Sequence, residues 1–494
     1  MTNTQTVQAS SPPADAVPRR WWALAVIGTA QLMVVLDATI VNIALPTAQA
    51  DLGFSDGSRQ WVVTAYALAF GSLLLVGGRI ADMLGRRRVF LLGLVGFAAA
   101  SALGGAAPNF TVLITARALQ GLFGALLAPS ALAMLSTLFS HGKDRARAFG
   151  VFGAIAGSGS AIGLLLGGLL TEYLTWRWTL LVNLAFAAVA FLGALFLLPR
   201  ASRDTTVRID IPGALFVSAG LFAVVYGFSN AEQHDWSAPS TWGTLTAGAV
   251  LLLVFVRWQR YAAHPLLPLR VLADRNRGAS YLSVGIVGAA MFGVFLFLTY
   301  YLQQTLHFTP VRTGLAFMPM VASLMVASAL STSVLLPRIG PKPVVPAAML
   351  IAAAGMVYLT RLDLDSTYSG GVLPATVVVG LGIGGVIAPA MSLATHQVAD
   401  HDAGVASATV NTAMQIGGSL GTALLNTLAT SAATRYLHDK DPSDPLVLGR
   451  AALESYSTAY AWSAGLFAAG CLITLALYRR DRVDISTGTS AVHM

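Results

Sequence analysis

Charge is what this chain has least of. Of its 494 residues only 11% are Asp, Glu, Lys or Arg, against 55% hydrophobic, and the mean hydropathy is +0.69. Soluble domains carry about 25% charged residues. Too little polar surface is available to cover a water-soluble globule, so lipid must cover part of this one. Cysteine is scarcer still. Cys471 stands alone in an apolar context, which excludes a disulfide framework or a cysteine-based metal site and leaves a small packing residue. The eight histidines make no metal-ligand spacing, and the pair His396 and His401 falls on an expected loop. A glycine-rich phosphate loop is missing, which excludes ATP as the direct energy source. No loop is long enough for a catalytic domain, so an enzyme is not expected. The formal charge of +8 would suit nucleic acid, but the basic residues are scattered between apolar runs. That distribution reads as membrane topology, with the lipid bilayer as partner and no nucleic acid.

What is abundant is apolar sequence in lengths of about 20 residues, enough to cross a hydrocarbon core. Fourteen such runs are expected, from 21–46 to 457–478. The first is too long for a signal-peptide core and carries an acid, so it is read as a retained helix despite Arg19 and Arg20 before it. With both termini cytoplasmic, 22 Lys and Arg fall inside, 7 outside, and Arg117 in the membrane. This is the excess that the positive-inside rule requires. A weak internal repeat joins the halves: "GGRIADMLGRRRVF" (77–90) and "LLPRIGPKPV" (335–344) are both short, basic, glycine-containing turns. The expected organisation is a tail at 1–18, a six-helix bundle at 19–200, two extra helices at 201–265, a second bundle at 266–478 and a tail at 479–494, both tails disordered. Duplicated six-helix units point to a transporter with its substrate site between the halves.

Two charges break the apolar pattern. Asp37 lies in "QLMVVLDATIVNIALP" (31–46) and Arg117 in the fourth run. A charge at mid-membrane costs about 2.5–3.5 kcal/mol on insertion scales. Counted from their helix ends the two residues are close to level, and a pair would relieve both. Such a pair is either a fixed structural bridge between helices or a proton site. In the second case burial favours the protonated acid, the guanidinium favours the ionised one, and a conformational change alters the balance.

At these residues the sequence resembles the fourteen-helix drug:proton antiporters of the major facilitator superfamily, the multidrug and antibiotic efflux type. "LDATIVNIALP" is similar to that family's first-helix signature, and "LITARALQGLFGA" (113–125) to its fourth-helix motif. The resemblance assigns proton coupling to Asp37 and Arg117. "GRIADMLGRRR" (78–88) resembles the gating-loop motif, with Gly78, Asp82, Gly85, Arg86, Arg87 and Arg88 in its positions. Gly150, Gly159, Gly163, Gly167 and Gly168 stand at the glycines of the fifth-helix antiporter motif, with Leu164 where the family has proline, so a weakened kink is expected. "WRWTLLVN" (176–183) also has the family look.

The resemblance implies an all-α membrane protein of the major facilitator fold, multi-pass in the bacterial cytoplasmic membrane and monomeric. It implies antiport driven by the proton gradient with no cofactor, exporting lipophilic drugs, antibiotics or natural products by alternating access. A symporter importing a small metabolite is the alternative, which the glycine-rich fifth helix disfavours. Polar and aromatic residues within the runs are the candidate cavity lining for a lipophilic or cationic organic substrate: Gln31, Asn42, Trp61, Tyr66, Gln120, Tyr226, Phe292, Phe295, Tyr300, Tyr301, Asn411 and Gln415. With one deep carboxylate, exchange of about one proton per substrate is expected, and monocations should be handled better than dications.

Overall fold

A computed structural model describes residues 16–139, 142–199, 210–234, 236–267, 269–395, 403–438, 440–441 and 443–479. Inside lipid every backbone N–H and C=O must find a partner within the chain, and helices achieve this segment by segment. The described elements are all helical: α1 (Ala16–Leu52), α2 (Gln60–Leu84), α3 (Arg86–Gly105), α4 (Phe110–Leu138), α5 (Gly142–Tyr173), α6 (Trp178–Leu197), α7 (Ile211–His234), α8 (Pro239–Trp258), α9 (Arg275–Thr305), α10 (Pro310–Ile339), α11 (Pro341–Leu359), α12 (Tyr368–Ala394), α13 (Ala403–Leu437) and α14 (Pro445–Leu477). Among the described residues, eleven helices are long and apolar enough to cross a membrane, and Gln60–Leu74 in α2 is a shorter apolar stretch. Short π-helical turns loosen α9 at Tyr301–Thr305, α10 at Ser331–Leu335 and the start of α12 at Tyr368–Val372.

The helices sort into two units. In the first, α1 packs on α5 and α6, α2 on α4, and α3 on α4 and α6. In the second, α9 packs on α12, α13 and α14, while α12 also packs on α10 and α11. The units meet along α2 with α13 and α5 with α10. The added pair α7–α8 lies on the first of these seams, with α7 touching both α2 and α13. Leu68 of α2, Val217, Leu221 and Val225 of α7, Phe255 of α8 and Ala423 of α13 form one apolar cluster there. The far side of α8 is bare: Val250, Leu253 and Trp242 are exposed.

Two glycines mark the repeat. Gly85 between α2 and α3 has φ 98°, and Gly340 between α10 and α11 has φ 76°. A left-handed backbone disfavours any residue with a Cβ, so each turn is built on the one residue it tolerates. The arginines after Gly85 then cap neighbouring helices. Arg86 donates to Ala133 O of α4 at 3.2 Å, and Arg87 to Ala194 O and Leu195 O of α6 at 3.2 and 2.7 Å. Cations on C-terminal carbonyls oppose the negative end of the helix dipole. Arg88 is exposed, Asp82 sits in the last turn of α2, and a Cβ on Gly78 would make only ordinary contact with Pro129. The close approach belongs to Gly77, where a Cβ would lie 2.0 Å from Ala125 O of α4.

Some boundaries differ from expectation. α1 does not stop near Pro46 but continues to Leu52 with the proline inside it. Proline lacks the N–H that would bond Asn42 O and crowds that turn. Ile43 O in the loosened turn accepts a hydrogen bond from Gln303 Nε2 of α9 at 3.0 Å. α5 runs unbroken through Leu164. The tails at 1–15 and 480–494, with His396 and His401, lie outside the described residues.

Candidate functional site: a buried carboxylate and a latch

Asp37 is fully buried in the middle of α1, and three side chains donate to it. Arg117 Nη1 of α4 reaches Oδ2 at 2.6 Å. Gln120 Nε2, one turn further along α4, and Asn183 Nδ2 of α6 reach Oδ1 at 2.9 and 2.7 Å. Ser101 Oγ of α3 accepts from Gln120 at 2.7 Å and from Asn183 at 3.4 Å. Arg117 is equally well held. It donates to Gln120 Oε1 at 2.8 Å and to Val62 O of α2 at 3.0 Å, and its guanidinium lies 4.5 Å from the centre of the Tyr66 ring. A buried ion pair is stable only when its remaining donors and acceptors are met, and this one is met from five helices. One atom is left over: Asn183 Oδ1 is buried and has no hydrogen-bond partner.

Toward the α1–α2 turn, a small cavity lies directly beyond the pair, lined by Val41, Ala44, Leu45, Ala48, Val62, Leu113, Trp176 and Leu180. A cavity lined only by apolar groups stays dry, so this side of the pair is shielded from water.

The same end of the molecule, hereafter the α1–α2 face, holds the contacts that join the two units. Arg59, just ahead of α2, is 4% exposed and stacks over the rings of Tyr300 and Phe297 of α9 at 4.3 and 5.5 Å. Its Nε donates to Asn426 of α13 at 3.4 Å, and Asp56 lies 3.5 Å away. Tyr300 donates its hydroxyl to Gln49 of α1, and Glu172 of α5 accepts from Val311 N of α10 at 2.8 Å. The face is closed. Arg59 also touches the buried site through the chain itself, because its carbonyl accepts from Val62 N, and Val62 O holds Arg117.

Removing Arg59 should therefore open this face. Arg59→Ala is expected to move the population toward the open form by about tenfold or more, since a desolvated cation–π contact is worth about 2 kcal/mol. Spin-label distances between the end of α5 and the start of α10 would report it. An unchanged distance distribution would mean that Arg59 only packs.

The glycines of α5 divide by partner. A Cβ on Gly159, Gly163 or Gly167 would meet Val35, Thr39 or Ile40 of α1 at 2.9, 2.1 or 2.8 Å, whereas one on Gly168 would lie 2.6 Å from Pro310 O, across the seam. Gly150 lies in the part of α5 whose side-chain surroundings are outside the described residues, as does the side chain of Phe292.

The cavity candidates disperse. Tyr66 and Gln120 join the carboxylate network, and Tyr300 joins the latch. Tyr301 is buried and donates to Asp363 O at 2.9 Å. Phe295 is buried against Phe317, ring centres 5.2 Å apart. Trp61 packs in the cluster beneath α7, and Gln415 lies on α13 against Gly71 of α2. Tyr226 stacks on Phe222 on the exposed side of α7, away from the others. Asn42 is buried and donates to carbonyls of its own helix, Gln31 is half-buried and Asn411 exposed. Asn183, Ser101 and Arg59 were not among the candidates. Only Asn183 carried a signal, as the last residue of "WRWTLLVN".

Two packed helical units that meet along two seams, with a compensated charge pair inside one and a closed latch between them, define a secondary membrane carrier. The chain belongs to the Major Facilitator Superfamily, whose sequence profile matches residues 27–422. It is 50% identical over 479 residues to the puromycin resistance protein pur8 of Streptomyces alboniger, spanning 96% of this chain and 95% of that one. It is 40% identical over 412 residues to the cephamycin export protein CmcT of Amycolatopsis lactamdurans, spanning 83% and 85%. Its backbone matches a crystal structure of a bacterial homologue of the human lysosomal transporter Spinster with TM-score 0.65 at 14% identity, over 95% of this chain and 99% of that chain, which establishes the fold. The protein is a multi-pass transporter of a bacterial membrane, not an enzyme.

Proposed function

We propose that this carrier exports small organic, antibiotic-like compounds in exchange for protons, acting as a monomer with no cofactor. The puromycin and cephamycin named for its relatives set the class of compound. The observation that carries proton coupling is Asp37, a buried carboxylate saturated by three donors. The three donated hydrogen bonds occupy acceptor positions on both carboxylate oxygens. A proton on Oδ2 removes the acceptor of Arg117. A proton on Oδ1 is met instead by a half-turn of the Asn183 amide, which offers its unpartnered Oδ1; in either case the carboxyl loses its charge, and with it the ion pair that holds Arg117. Arg117, once released, loosens its hold on Val62 O, in the turn of α2 that begins at Arg59. Proton binding is thereby tied to the latch, and a carrier needs that linkage to exchange one cargo for another.

The basic turns support an orientation with both termini and the α2–α3 face in the cytoplasm, in which the closed face is the outer one. Cargo enters from the cytoplasm or inner leaflet while Asp37 is ionised, and proton uptake accompanies outward release.

Proteoliposomes with an imposed pH gradient and an internal pH dye test this reading. Puromycin, a cephamycin, and matched lipophilic mono- and dications form the first panel. Compound-triggered proton flux is expected in wild type and its loss in Asp37→Asn, with the monocation moved faster than the dication. Flux that survives the substitution would reduce Asp37 to a structural partner of Arg117. Asp37-dependent export of both cations at equal rates would overturn the one-proton stoichiometry.

A further inference from the structure

At the α1–α2 face, α13 ends, α14 begins, and the turn after α7 arrives beside them. Between these three lies a cavity of about 730 Å3 whose walls include Trp236, Leu428, Arg435, Tyr436, Glu454 and Trp462. That volume is within the range that holds a small organic group. Its floor and its rim differ in chemistry. Leu428 and Trp462 lie about two turns further from the α1–α2 face than Arg435 and Glu454 along α13 and α14, and Trp462 is 52% exposed on the outside of the bundle, where the surrounding medium is lipid. Arg435 stands in the last turn of α13, and Glu454 nine residues into α14, counted from Pro445. Both are at headgroup depth, the level at which the tryptophans of a membrane protein also gather.

The two charges share one cavity and do not pair. Among the described residues, neither Arg435 nor Glu454 makes an ion pair or a side-chain hydrogen bond. Tyr436 between them has its ring face taken by Lys440, at 3.0 Å from the centre. An unpaired guanidinium and an unpaired carboxylate facing one crevice, with an apolar floor open to lipid, call for a ligand with an anion, a hydrogen-bonding cation and a hydrocarbon body.

We propose that this crevice binds a phospholipid with a phosphoethanolamine headgroup. Arg435 takes the phosphate, for which a planar fork of donors is suited. Glu454 accepts from the primary ammonium, and the acyl chains lie along Leu428 and Trp462. A choline headgroup has no N–H to give Glu454, and a glycerol headgroup leaves the carboxylate facing only the phosphate. The leaflet is the outer one in the proposed orientation, but the site does not depend on antiport and survives if that reading fails.

Native mass spectrometry of the purified full-length protein tests it, with phosphatidylethanolamine, phosphatidylcholine and phosphatidylglycerol of identical oleoyl chains. Wild type is expected to retain phosphatidylethanolamine about tenfold better than the other two. Glu454→Gln should bring it level with phosphatidylcholine, and Arg435→Gln should weaken all three. Thermal melting in detergent separates a lost site from a lost fold, and Arg435→Lys and Glu454→Asp serve where the first variants prove unstable. Equal retention of the three lipids by wild type, or a preference for phosphatidylglycerol, overturns the proposal. So does displacement of the lipid by water-soluble glycerophosphoethanolamine at matched concentration, which would mark a site for free zwitterions.

Discussion

Arg117→Met is expected to cost about 3–5 kcal/mol of folded stability, because it strands the Asp37 carboxylate in the bundle without its cation. The geometry says why the loss should be this large. Asp37 is fully buried, and Asn183 and Gln120 would still donate to it, but neutral donors do not compensate the charge. Gln120 would also lose the partner of its Oε1, and Val62 O the side-chain donor it has beside its own helix bond. The double variant Asp37→Asn with Arg117→Met removes both charges together and should regain most of the stability, since an apolar replacement for a buried pair is often neutral. Asp37→Asn alone should be milder than Arg117→Met. Its side-chain oxygen still accepts from the network, and Arg117 keeps Gln120, Val62 O and the Tyr66 ring. That ordering matters for transport, because it leaves Asp37→Asn folded enough to be assayed. Thermal unfolding in detergent, followed by size-exclusion of the surviving fraction, measures it. If the single Arg117→Met variant is as stable as the double variant, the pair is not what holds the five helices together.

Much of this is legible in the amino-acid sequence. Apolar run lengths set the helices, because the bilayer imposes both length and internal hydrogen bonding. Asp37 and Arg117 stood out because charge inside such runs is costly, and Gly85 because a tight turn needs it. Arg59 was illegible for the opposite reason. In sequence it is one more arginine in a loop; its burial is produced by Tyr300 and Phe297, some 240 residues away on the other unit. Ser101 is a small residue in an alanine-rich run and carries no mark of the amides it serves. The aromatics part company: Tyr66 and Tyr300 lie against the two buried arginines, and others are scattered. Trp61, Tyr226 and Phe295 have the composition of a cavity wall, but residue type does not say which face of a helix it occupies, and boundaries uncertain by a few residues blur that phase. The same blur hid Gly77 behind its neighbour Gly78.

Gly168→Leu should abolish transport while leaving the protein folded. A Cβ at this position would lie 2.6 Å from Pro310 O and 2.8 Å from Val311 Cα, both backbone atoms, so no rotamer change can make room. The contact joins the two units, however, and neither unit needs it for its own packing. The substitution therefore acts on one state of the cycle, the one with the α1–α2 face shut. Losing about 2.7 kcal/mol from that state lowers its weight against the open state by about a hundredfold, and a cycle that must pass through it slows accordingly. The neighbouring position provides the contrast. A Cβ on Gly167 meets Ile40 O of α1 within the same unit, so Gly167→Leu should lower the melting temperature as well. A Cβ on Gly314 of α10 would lie 2.6 Å from Leu164 O of α5, on the other side of the seam, and Gly314→Leu should reproduce Gly168→Leu. Leu164 stands where the related antiporters have proline, and it leaves α5 unbroken at this contact. Without a proline, α5 has no built-in kink at which to bend away from an added side chain, which sharpens the expectation. Drug-dependent proton flux in proteoliposomes reads the loss, and spin-label distances between the end of α5 and the start of α10 read its cause. Flux retained with an unchanged distance would show that the seam yields elsewhere, and that the antiporter glycines serve only the packing of α5 on α1.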